Sequence, residues 1–71
     1  MSYYHQKQLA FKELDVILDK CVTEKRNINI TALIYKFTLN YPISKKAIRS
    51  QIEDFAKIRN LKLINDELVV N

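Results

Sequence analysis

The chain has 71 residues, a net charge of +4, 48% apolar and 28% charged residues, a composition that folds and that leaves room for one core and one domain, residues 1–71. It contains no glycine, one cysteine and one histidine, which excludes glycine-dependent phosphate loops, dinucleotide-binding turns and nucleophile elbows, together with an internal disulfide and a metal-ligand cluster. Without a run of about 18 apolar residues or a leader pattern, the expectation is an intracellular, cytoplasmic protein with no membrane span.

The carboxylates are scattered beside lysines, and none is paired on an apolar wall that would raise a pKa for acid–base work. We therefore expect no enzyme activity, no cofactor and no small-molecule substrate.

From about Tyr3 to Arg26, the residues Ala10, Phe11, Leu14, Ile17, Leu18, Cys21 and Val22 recur on one stripe of a helix. Lys25 and Arg26 fall in its expected last turn, where cations complement the dipole, and Asn27 suits a left-handed stop. Cys21 lies inside the stripe and reads as a small buried hydrophobe, since a reactive thiol needs an exposed, electropositive setting. Leu9 and Val16 project away from the stripe at a heptad spacing and form a candidate homodimer seam that Tyr3 and Tyr4 would extend; scattered surface residues are the plain alternative.

Ile28-Asn29-Ile30 alternates over too few residues for more than one short strand. Thr31 is then the expected cap of a second helix running to about Asn40, with Leu33, Ile34 and Phe37 toward the core. Tyr35 and Leu39 point elsewhere, which predicts a helix sandwiched between neighbours, and the rings of Tyr35 and Tyr41 are expected to pack with their hydroxyls at the surface. Asn40-Tyr41-Pro42-Ile43 makes the following turn.

Ser44 is a good helix cap and Pro42 before it discourages a continuous helix, so a third helix is expected over residues 44–59. Ile48, Ile52 and Phe55 share one stripe, and Lys46, Ser50, Glu53 and Lys57 fall opposite. Lys45 and Lys46 occupy the first turn, where each cation opposes the helix dipole at a cost of about 0.3–1 kcal/mol. Such a violation points to function, and a helix N-terminus flanked by lysines attracts phosphate. The stretch holds five basic residues (Lys45, Lys46, Arg49, Lys57, Arg59) against two acidic ones (Glu53, Asp54), so most of the chain's +4 sits there. A solvated basic face is the plain alternative.

Asn60 suits the left-handed position that ends a helix. In LKLINDELVV the period changes to two, and Asn65-Asp66 can make a two-residue hairpin turn that pairs Ile64 with Glu67, Leu63 with Leu68, Lys62 with Val69 and Leu61 with Val70. That register puts Leu61, Leu63, Leu68 and Val70 on one face, to be closed over the helices with Ile28–Ile30 as third strand.

The order helix, short strand, helix, helix, hairpin resembles the winged helix-turn-helix family from about residue 8 to residue 70. The resemblance is carried by Ser44, Ile48, Ile52 and Phe55, then Asn60 and the hairpin. It implies an α+β, mainly α fold: a winged helix of three helices and a C-terminal β-hairpin, with a short strand between helices one and two. It also implies a recognition helix that turns Ser44, Lys45, Lys46, Arg49, Ser50, Glu53 and Lys57 toward double-stranded DNA, with Lys62 and the Asn65-Asp66 tip near the backbone or minor groove. The chain departs from the family in having Asn40-Tyr41-Pro42 where a glycine is usual, and a short acidic wing tip. Arg49 is the expected guanine contact. Glu53 is expected to pair with Arg49 or Lys57 more than with a cytosine amino group. The alternative function is a winged-helix protein-interaction or assembly module. A basic membrane-surface helix fails, because the apolar faces are needed for the core.

Overall fold

The computed structural model describes residues 3–70, with side chains from His5 onward. Tyr3 and Tyr4, offered as an extension of the dimer seam, have side chains outside the described residues.

Helix α1 spans Tyr3–Thr23 and buries Ala10, Leu14, Leu18 and Cys21, with Phe11, Ile17 and Val22 half-buried beside them. It stops before the expected Lys25-Arg26 turn. Lys25 itself takes the left-handed conformation at φ 56°, and its N–H donates to Val22 O while the Arg26 N–H donates to Cys21 O, the pair of bonds that closes a helix C-terminus. Asn27, expected at that position, is used differently: its Oδ1 accepts the Val70 N–H at 2.8 Å and ties the end of the chain to this connection.

Strand β1 is Ile28–Asn29 and helix α2 is Ile30–Asn40. The cap is Asn29, whose side chain accepts the Ala32 N–H at 2.9 Å, and not Thr31. Helix entry is thus two residues earlier than expected, because Ile30 is needed as a buried first-turn residue. Its free N–H is satisfied by the Asp66 carbonyl at 2.8 Å. Leu33, Ile34 and Phe37 face the core as expected. The sandwiched position is not found: Tyr35 is 59% and Leu39 68% exposed, so α2 is covered on one side only. Tyr41 does pack, its ring stacked 5.7 Å from that of Phe37.

Helix α3, Lys45–Ile58, is capped by the Ser44 hydroxyl, which accepts the Ala47 N–H at 3.1 Å. Ile48, Ile52, Phe55 and Ala56 are buried. Asn60 closes the helix at φ 57°, with its N–H on Lys57 O and the Leu61 N–H on Ala56 O.

Strands β2, Lys62–Ile64, and β3, Glu67–Val69, form the hairpin. Asn65 and Asp66 both have positive φ, 50° and 61°, the requirement of the two-residue turn that matches strand twist. Lys62 pairs with Val69, Leu63 with Leu68 and Ile64 with Glu67, which is the expected register; the Leu61–Val70 pair lies beyond the ladder. Ile28 pairs with Leu68 and Asn29 with Glu67, so β3 is the central strand of an antiparallel sheet ordered β1-β3-β2. On the inward face Leu68 is fully buried and Leu61 and Val70 pack against the core, whereas Leu63, on the edge strand, remains exposed. The architecture is α+β, mainly helical, in a winged-helix layout. Among the described residues no helix is long and apolar enough to cross a membrane.

Candidate nucleic-acid interface

Because Ile48, Ile52, Phe55 and Ala56 fix which side of α3 is inward, its polar side is turned to solvent. Ser44, Lys45, Lys46, Arg49, Ser50, Glu53 and Lys57 are all exposed, as is Lys62 on β2. Lys46, Ser50, Glu53 and Lys57 share the outermost stripe, at the three- and four-residue spacings that align side chains along a helix. No acidic residue stands in the first turn of α3 to offset Lys45 and Lys46.

The two flanks of α3 are used differently. Toward α1, Arg59 pairs with Asp19 and lies over the Phe55 ring at 4.8 Å, while Gln51 donates to Asp15 Oδ1 at 3.3 Å. Arg59 is therefore part of the α1–α3 seam, and its charge is withdrawn from the basic face. Toward the wing, Arg49 Nη2 lies 3.5 Å from Asp66 Oδ1, with both groups about half exposed. Lys45 and Arg49 also border a groove of about 190 Å³ whose other walls are Thr31, Ile34 and Tyr35.

Ion pairs join Arg26 to Glu24, Arg49 to Asp66 and Arg59 to Asp19. The expected pairing of Glu53 with Arg49 or Lys57 does not form; Arg49 turns to Asp66 of the wing instead. Among the described residues, Lys45, Lys46, Lys57 and Lys62 have no carboxylate within ion-pair distance. Asp66 is the site residue whose role local sequence does not reveal: hairpin pairing locates it at the turn, but nothing nearby in the chain shows that the turn folds back over Arg49.

Leu9 and Val16 are exposed on α1, outside the core as their helical phase predicts. On the α1–α2 side, the Tyr41 hydroxyl donates to Glu13 Oε2. This hydrogen bond, then burial and the charge of Glu13, push the Tyr41 phenol above its ordinary pKa. Among the described residues no group of three His, Cys, Asp or Glu side chains gathers to hold a metal. Comparison with protein-family models, with curated proteins and with solved structures found no match for the chain.

Proposed function

We propose that this chain binds double-stranded DNA through α3 as a small cytoplasmic transcriptional regulator of the winged helix-turn-helix kind. The observation that carries the reading is the outward face of α3. It gathers lysines that have no carboxylate within ion-pair distance among the described residues, with Glu53 the acid on the same stripe. Two of the lysines stand in a first turn where they oppose the helix dipole. Phosphate neutralisation by Lys45, Lys46, Lys57 and Lys62 supplies affinity, and the side chains of Arg49, Ser50 and Glu53 are the ones available to base edges. Ser44 adds its capped, N–H-rich helix end. A titration with random-sequence duplex at two salt concentrations tests this. With three to five phosphate contacts, log affinity should fall against log salt with a slope of about −3 to −4.5. Absence of duplex binding at ~50 mM salt, where such contacts are strong, rejects the reading.

A second reading, a protein-interaction or assembly module, is favoured by the exposed apolar side chains of Leu9, Val16, Tyr35 and Leu39. Self-association through Leu9 and Val16 is its most specific form, and it is compatible with DNA binding, since paired copies read half-sites one helical turn apart. Changing both residues to glutamate should leave the thermal transition in place, because neither is in the core, and shift equilibrium sedimentation toward monomer. Unchanged sedimentation of wild type and variant as monomers removes the seam.

A further inference from the structure

The wing tip is tied down on several sides. Asp66 occupies the second left-handed position of the turn, its carbonyl accepts the Ile30 N–H at 2.8 Å, and the next residue, Glu67, is paired with both Ile64 and Asn29. The Asp66 main chain is thus bound to the start of α2, and the residue that follows it is paired with β2 and β1. What remains free is a short carboxylate arm, and its Oδ1 lies 3.5 Å from Arg49 Nη2.

An exposed pair at this distance contributes little to stability. Its consequence lies in where the guanidinium rests. Arginine has a long, rotamer-rich stem and a planar fork of five donors, so a single contact on one nitrogen narrows its orientations and leaves the other donors available. A side chain already restrained loses less freedom when it meets a base edge. At the same time the Asp66 carboxylate repels phosphates, which makes the tip a poor clamp for a nucleic-acid backbone. We propose that Asp66 is a positioning residue: the wing acts inward, biasing the orientation of Arg49 on the recognition face, and does not act outward as a grip on DNA.

This inference rests on the DNA-binding reading, and it predicts effects of opposite sign on affinity and selectivity. Asp66→Asn keeps a side chain that tolerates left-handed backbone, so the turn is retained. The loss of one negative charge should tighten binding to random-sequence duplex about two- to fivefold at low salt. The same change should reduce preference at the base pair read by Arg49, in the best site selected by wild-type protein from a random duplex pool, by on the order of fivefold. In an Arg49→Ala background, Asp66→Asn should leave that preference unchanged, because Asp66 acts through Arg49. An unaltered preference in the single variant, or an equal change in the Arg49→Ala background, overturns the proposal. In the protein alone, ¹⁵N relaxation of the Arg49 Nε–H group should report a restrained side chain that becomes mobile in Asp66→Asn, and equal mobility in both proteins also overturns it. Failure of the wild-type chain to bind any duplex counts against the DNA reading instead, and the relaxation measurement still decides whether Asp66 holds Arg49.

Discussion

Phe37→Ala is expected to remove roughly 3–5 kcal/mol of the stability of the fold, while Tyr35→Ala, two positions away on the same helix, is expected to change it by less than about 0.5 kcal/mol. Phe37 is 2% exposed and sits on the buried face of α2 with Leu33 and Ile34. Its ring also stacks on Tyr41, whose hydroxyl reaches Glu13 on α1, so removing it loosens the end of α2 from two directions. Truncating a buried phenylalanine costs roughly 3–5 kcal/mol, from lost transfer energy and from the cavity left behind. A domain of this length holds about 4–10 kcal/mol in total, on the usual per-residue scale. With the midpoint proportional to stability, the urea midpoint should therefore fall by roughly a third or more. Tyr35 has a comparable ring, but with most of its surface in water its removal opens no cavity. Equal losses from the two variants would mean that α2 is covered on both sides, against the exposures of Tyr35 and Leu39.

That contrast also marks where the sequence is legible. Ser44, Ile48, Ile52 and Phe55 declare the start and inner face of α3 without ambiguity, because the cap and the stripe agree and the neighbouring Pro42 prevents a competing helix. The hairpin is equally plain: Asn65 and Asp66 are residue types that accept positive φ, and a two-residue turn fixes every pair that follows. Helix α2 is less so. Its apolar residues surround more than half the helix, and periodicity alone cannot say that Tyr35 and Leu39 lack a neighbour, since that depends on which elements lie beside them. Two helix termini depart from local expectation for a related reason. Asn27 and Thr31 have the right local chemistry for a stop and a cap, but Asn27 is engaged by Val70 and the cap falls on Asn29, so that Ile30 can be buried. Long-range partners decide between adjacent candidates. The Arg49–Asp66 contact lies at the same limit, because it joins residues that only the completed sheet brings together.

The face of α3 yields the second large effect, in which stability and binding should move apart. Replacing Lys45, Lys46, Lys57 and Lys62 together by glutamine should weaken duplex binding by about three orders of magnitude at ~0.1 M salt, because every phosphate left without its lysine takes about 0.9 from the log–log salt slope. The fold should not suffer. All four side chains are exposed, exposed substitutions are usually within about 0.5 kcal/mol, and neutralising Lys45 and Lys46 relieves a conflict with the helix dipole worth about 0.3–1 kcal/mol each. The variant is thus expected to melt no lower than wild type while failing to hold its ligand. Within that effect, phosphate contacts and base contacts should separate. Lys46→Ala alone should weaken all duplexes about equally, whereas Arg49→Ala should cost roughly 1–3 kcal/mol on the preferred site and flatten the preference at one base pair. Binding and thermal melting measured on the same samples decide the matter. A quadruple variant that still binds duplex with the wild-type salt slope places the ligand somewhere other than α3, and equal, sequence-independent losses from Lys46→Ala and Arg49→Ala reduce this helix to a backbone contact.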